Sequence, residues 1–290
     1  MAKDHEKKGK RGLRVLFIVS VVVLAATLAC LGYIFYTYWR GQAEYDDLAE
    51  YVQVDDNLTL ASFEVDWDAL RAINPDIVGW VYVPDTIINY PIVWRENDDV
   101  YYTTHTFNDN STGAFGAEYG CVALSGVNSP DWTDQASFIS GHHMRNGTMF
   151  ANLYYFQEDE TFNTHRTFYV LTPRGNFKLT SFAVDKVLGS STDIVIPNFG
   201  TEKEFREYLQ RRYDESRVTP DPAGAPVDSI EQIMAFYTCS EPDNQYRIIV
   251  YCNVDEFLPE GSDASVANSL VTEEDIANVG NVVNQRAAGE

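Results

Sequence analysis

Cys239 closes the apolar run IMAFYTC and Arg247 opens the next one, RIIVYC, with seven residues between them. Taken as an antiparallel hairpin centred near Asp243, the two runs bring Cys239 and Arg247 face to face, within side-chain reach. A guanidinium beside a sulfur favours the thiolate, and it also stabilises the oxyanion that forms when a thiolate attacks a carbonyl. The pair therefore suits nucleophilic acyl transfer. The same register sets Cys252 against Met234 and, by alternation, on the face opposite Arg247, which argues against a Cys239–Cys252 disulfide. Taken alone, a single Cys at a strand end is more often a small buried hydrophobe, and a charge at a strand start is more often solvated.

A thiol nucleophile needs a partner for its proton. Of the five histidines, His5 sits among the basic residues near the N-terminus, His105 falls in the loop-like YYTTHTFNDNSTG, and His165 precedes the run TFYVLT. The other two form a doublet, His142–His143, directly after Gly141, where the run ASFIS ends. A glycine at a strand end lets the backbone turn sharply and present the next side chain at a barrel rim. Glu241 and Asp243 lie in the hairpin loop, where carboxylates are ordinary. The four cysteines, Cys30, Cys121, Cys239 and Cys252, include no CxxC pair and no His at zinc-finger spacing, so no structural metal is expected.

The elements that must position these groups are mostly strands. Beyond Pro75, short apolar runs bounded by turn-formers predict eight of them: GWVYV, INYPIVW, CVALS, ASFIS, TFYVLT, FKLTSFAVDKVL, IMAFYTC and RIIVYC. Eight short strands with few helices predict a closed barrel, which leaves no exposed edge. One long helix interrupts them at TEKEFREYLQRRYDESRV, where Thr201 and Glu204 form a capping-box pattern and Phe205, Leu209 and Tyr213 recur every fourth residue. Before the strands, AEYDDLAEYV and FEVDWDALRAI carry helical spacing, the second placing Phe63, Trp67, Leu70 and Ile73 on one face. The polar tail, residues 259–290, predicts at most a short helix at Glu273 to Val279.

Residues 1–14 hold Lys3, Lys7, Lys8, Lys10, Arg11 and Arg14 ahead of an uncharged run from Val15 to Trp39. As a helix that run is about 37 Å long, against roughly 30 Å of bilayer core. It ends in YIFYTYW, a cluster suited to the membrane interface. The run is long for a signal peptide, and no small-x-small cleavage site follows it. Cys30 follows TLA, without the usual leucine of a lipoprotein site. The expectation is a cytoplasmic basic segment (1–14), an uncleaved transmembrane anchor (15–39), an extracellular linker with helical character (40–73), and a catalytic body (74–258) outside the cell. Residues 1–40 carry a net +5, so the rest carry −27 of the chain's total −22. Such an acidic body argues against nucleic acid as a partner.

Four blocks, in order, carry a resemblance. INPDIVGWVYVPDTIINYPIVW, DDVYYTTHTF, GHHMRNGTMF and FYTCS…YRIIVYC are together similar to a sortase of class B, over Asn74 to Val254. The resemblance implies an eight-stranded sortase barrel, with the helix at 201–217 as the class B insertion, and transpeptidation at the outer membrane face without a cofactor. It implies Cys239 as nucleophile, His142 as acid/base and Arg247 as the group that positions substrate and stabilises the oxyanion. The implied partners are sorting-signal peptides of secreted surface proteins, and an amine of a peptidoglycan precursor or of a pilin. The chain departs from the family pattern at His143, where the family often has Asn, and at Ala235 and Phe236, which replace Thr and Leu. Two other readings exist: a membrane-tethered binding barrel without catalysis, and a hydrolytic cysteine protease.

Overall fold

Short strands from Ile77 onward, most of them buried at consecutive positions, build a closed barrel whose strand order decides which side chains can meet. The structure is a computed structural model describing residues 2–54, 58–108, 119–191, 194–239 and 245–262. Two short strands, β1 (Val52–Val54) and β2 (Phe63–Val65), pair with each other outside the barrel. The barrel strands are β3 (Ile77–Tyr82), β4 (Asn89–Val93), β5 (Val122–Leu124), β6 (Ala136–Ser140), β7 (Thr167–Thr172), β8 (Gly175–Leu188), β9 (Ile233–Cys239) and β10 (Tyr246–Pro259). All eight coincide with the runs predicted from sequence. They close in the order β10-β8-β7-β3-β4-β5-β6-β9. Only β4–β5 and β6–β9 are parallel.

Helix α1 runs without a break from Ala2 to Ala49. Its segment from Gly12 is long and apolar enough to cross a membrane. The helix continues past Trp39 and Arg40 because one face has somewhere to go: Gly41, Tyr45 and Leu48, at helical spacing, are buried against the barrel. Residues 41–49 are thus packed structure and not a linker. Helix α2 (Trp67–Ile73) starts later than the apolar spacing suggested. Asp66 caps it, its carboxylate accepting from the Ala69 amide at 2.9 Å, which leaves Phe63 upstream on β2. Leu70 is buried and Ile73 is exposed. The short helices α3 (Tyr101–Thr104) and α4 (Asp159–Thr164) lie in the β4–β5 and β6–β7 connections. The tail helix expected near residue 273 lies outside the described residues.

Helix α5 (Glu202–Glu215) has the expected capping box: Thr201 Oγ1 accepts from the Glu204 amide, and the Glu204 carboxylate accepts from the Thr201 amide. It lies outside the barrel wall, and the hydrophobic core is divided accordingly. Inside the barrel are Met234, Phe236, Ile248, Val250 and Cys252. Between the wall and α5 are Ile233, Ala235, Ile249 and Tyr251, against Phe205, Tyr208 and Leu209. The Arg212–Asp185 ion pair in that outer layer is costly to bury. Arg212 of α5 donates to Asp185 of β8 at 2.5 Å and to Glu215 at 2.9 Å, with its guanidinium near the Tyr208 and Tyr251 rings.

Burial raises the Asp185 carboxyl to about 6 despite that guanidinium. A carboxyl raised on folding contributes stability in full below its unfolded value and loses it as pH rises through about 6. Arg212→Ala is expected to cost about 3–5 kcal/mol at pH 8, where it strands a buried carboxylate, and clearly less at pH 5. Joint replacement of Arg212 by Met and Asp185 by Leu is expected to recover most of the loss. Urea unfolding of the purified chain in micelles at the two pH values checks both statements.

Candidate active site

Cys239 stands opposite Arg247 in the β9–β10 ladder, and Cys252 opposite Met234, as the sequence register requires. Even-numbered residues of these strands enter the barrel, so Cys239 and Arg247 leave on the outer face, in line with Tyr237 and Ile249. Both are half-buried. At this end the wall is not covered by α5, and a cleft of about 410 Å³ opens between the connections that follow β4, β5 and β8. Cys239, Arg247 and His142 line it together with Tyr237, Asp99 and Val195.

The third member arrives from the neighbouring strand. β6 runs parallel to β9 with Ser140 beside Tyr237, and the Gly141 amide donates to the Tyr237 carbonyl at 3.1 Å. His142 therefore begins where Cys239 ends. Gly141 is required by contact: a Cβ there would lie 2.7 Å from the Phe150 ring.

The histidine doublet splits. His142 Nε2 lies 2.6 Å from the Thr103 carbonyl oxygen. A carbonyl only accepts, so Nε2 carries the proton and Nδ1 is left to exchange one. His143 lines no part of the cleft. Its Nδ1 donates to the carbonyl of Cys239 itself at 2.9 Å, and its ring tilts against Tyr154. His143 thus latches the strand end that carries the sulfur. His105 stacks on Tyr101 and His165 caps α4; neither reaches the cleft. Glu241 and Asp243 lie outside the described residues.

Arg247 is held by an aromatic ring. Its guanidinium lies over the Tyr237 ring, 5.4 Å from the centroid, and among the described residues no carboxylate pairs with it. A ring face fixes a cation while leaving its donors for another partner. Three contributors escaped the sequence analysis: the Thr103 carbonyl, the Tyr237 ring and Asp99. Asp99 lines the cleft and accepts from the Gly126 amide at 2.6 Å and from Ser125 Oγ at 3.2 Å. No local spacing marks them, although Tyr237 lies two residues before the cysteine and so shares its face. Among the described residues no three His, Cys, Asp or Glu side chains gather as metal ligands.

The thiols differ. The cysteines form no disulfide. Burial pushes Cys121, at the back of the cleft, up to about 12, and Cys252, inside the barrel, well above its ordinary value. Cys239 is the one thiol of the body that is not fully buried.

Comparison with known proteins matches residues 81–255 to the sortase domain family. A sortase B of Listeria monocytogenes is 26% identical over 236 residues, covering 77% of this chain and 91% of the relative. A sortase B structure from Clostridium perfringens superposes with a TM-score of 0.57 at 24% identity, covering 64% of this chain and 97% of that one. One from Bacillus anthracis, in complex with AAEK1, gives 0.63 at 22% identity, covering 76% and 98%.

With Cys30 replaced by Ala, a methanethiosulfonate reagent at neutral pH is expected to modify Cys239 alone, while Cys121 and Cys252 react only on unfolding. Peptide mapping after short exposure reads the order. Equal rates at the three sites would remove Cys239 from consideration as the nucleophile.

Proposed function

The chain belongs to the sortase family, and from that premise we propose that it is a membrane-anchored class B transpeptidase in which Cys239 is the nucleophile, His142 the acid/base and Arg247 the oxyanion-stabilising group. The observation that carries this reading is the meeting of the three side chains, from three adjacent strands, on one cleft.

The steps follow from their placement. His142 Nδ1 takes the Cys239 proton, and the thiolate attacks the carbonyl carbon of a Thr–x peptide bond in a sorting signal. The electron pair displaced onto oxygen is met by the Arg247 guanidinium, which pairs with no carboxylate among the described residues. The tetrahedral adduct collapses, the C–N bond breaks, and the amine departs with the proton from His142 Nδ1, leaving a thioester on Cys239. An incoming amine adds to the thioester carbonyl and gives its proton to Nδ1, and the sulfur leaves. One amide is exchanged for another, with no oxidant and no cofactor. Throughout, the Thr103 carbonyl supports the imidazolium from the far side of the ring.

The acceptor is a primary amine on a peptidoglycan precursor or a pilin. The basic residues before Val15 hold the N-terminus in the cytoplasm, which sets the cleft on the outer face of the membrane. Sorting-signal peptides of secreted surface proteins are then presented on the side where the cleft opens.

Incubation of the chain with a sorting-signal peptide and an amine is expected to yield an amine-joined product and a Cys239 thioester visible by mass spectrometry. Cys239→Ala abolishes both. Arg247→Lys lowers kcat by about 10²–10³, the cost of one oxyanion donor. His142→Gln abolishes turnover, whereas His143→Gln retains it. Cleavage that never joins the amine would replace transfer by hydrolysis, and full activity in Cys239→Ala would end the assignment.

A further inference from the structure

The loop that follows His142 is held at its far end, from Asn146 to Met149, by two tyrosines that helix α1 itself holds. Tyr119 accepts from Asn146 Nδ2 at 2.7 Å and from Thr148 Oγ1 at 3.2 Å, and donates to the carbonyl of Tyr38 in α1 at 3.1 Å. Its hydroxyl is thereby saturated, one donor and two lone pairs. Its ring lies flush on Gly41 of α1, where a Cβ would come within 2.5 Å of it. Tyr90 accepts from the amide of Met149, the residue that ends the loop at φ 56, a backbone region costly for a side-chain-bearing residue. The Tyr90 ring meets Tyr45 of α1 edge-on at 5.5 Å.

A second route runs to the imidazole directly. The buried Tyr45 hydroxyl donates to the Gly120 carbonyl. Gly120, at φ +58, lies against the His142 ring: a Cβ there would stand 2.7 Å from Cδ2 and 3.0 Å from Nε2. The Cys121 amide donates to the Tyr102 carbonyl at 2.8 Å, which fixes the segment whose next carbonyl, that of Thr103, holds His142. Both routes start on one face of α1, at Tyr38, Gly41 and Tyr45. That face begins inside the apolar run that ends at Trp39.

We propose that the juxtamembrane turns of α1, Tyr38 to Leu48, are a positioning element for the His142 imidazole, so that seating the body on its membrane helix and aligning the acid/base are one event. The proposal rests on the acid/base role given to His142 above. It makes the anchor part of the catalytic apparatus as well as an address. It also ties the cleft to a fixed height and rotation over the bilayer, because α1 has no hinge between the membrane and the body.

The test uses the full chain in lipid nanodiscs with ring-labelled histidine, the His142 signal being assigned by its loss in His142→Gln. Tyr119→Phe and Tyr45→Phe delete only hydroxyls, and Gly41→Ala presses α1 away from Tyr119; Asp47→Ala, on the exposed face of α1, is the control. Tyr119→Phe and Gly41→Ala are expected to shift the His142 ring resonances. They are also expected to lower kcat roughly ten- to a hundredfold, with KM for the peptide nearly unchanged, as for a displaced catalytic group. Tyr45→Phe moves both in the same direction by less, and Asp47→Ala moves neither. Unchanged His142 resonances in folded Tyr119→Phe and Gly41→Ala overturn the proposal, as does a loss of activity that follows the melting temperature alone. If the unaltered chain transfers no acyl group while the resonances still move, the functional reading falls and the positioning stands.

Discussion

The pairing of Cys239 with Arg247 depends on every rung of the ladder beneath it. A slip of one residue between β9 and β10 would turn the sulfur toward the barrel interior and the guanidinium away from it. Burial on both sides of the hairpin prevents that slip. Met234, Phe236, Ile248 and Val250 fill the interior, while Ile233, Ala235, Ile249 and Tyr251 are covered by α5. Both faces are apolar and both are occupied, so no alternative register buries as much surface. The helix inserted before β9 is therefore part of what aims the Cys239 sulfur, although it contributes no side chain to the cleft.

The histidine is placed by different means. β6 delivers the backbone to the correct neighbour, but the ring is set by a carbonyl from the β4–β5 connection and by the missing side chain of Gly120. Its loop is held by tyrosine hydroxyls whose rings lie on helix α1. A sulfur fixed by a regular ladder thus shares its cleft with an imidazole fixed by loops and by an element outside the barrel. The same division separates the two histidines of the doublet, one serving the cleft and the other the strand end that bears the sulfur.

Charge is distributed to match. Among the described residues Arg247 has a ring and no counter-ion, which suits a group that must meet charge appearing on a substrate. Arg212, buried in the outer layer, has Asp185, Glu215 and two rings, which suits a group that must only hold α5 to the wall. The sulfurs show the same contrast: burial keeps Cys121 and Cys252 protonated, while Cys239 stands at a rim.

The sequence by itself determined the strands, the capped helix, the apolar N-terminal run and the Cys239–Arg247 register, because each depends on residues close together in the chain: short apolar runs between turn-formers, a cap three residues from its partner, a hairpin with its centre between two runs. Four ordered blocks also carried the family resemblance. Helix α2 shows the limit of local reading, since Phe63 keeps helical spacing with Trp67 yet belongs to β2, the Asp66 cap and the pairing with β1 having prevailed. The family resemblance pointed to His142 of the doublet, but only the tertiary structure decided that His143 latches the Cys239 carbonyl, that Tyr237 carries Arg247, that Thr103 sets the tautomer of His142, and that α1 reaches past its apolar run to the loop behind the site. Those relations join residues dozens of positions apart through barrel closure, and no local periodicity records which distant carbonyl or ring a side chain will meet.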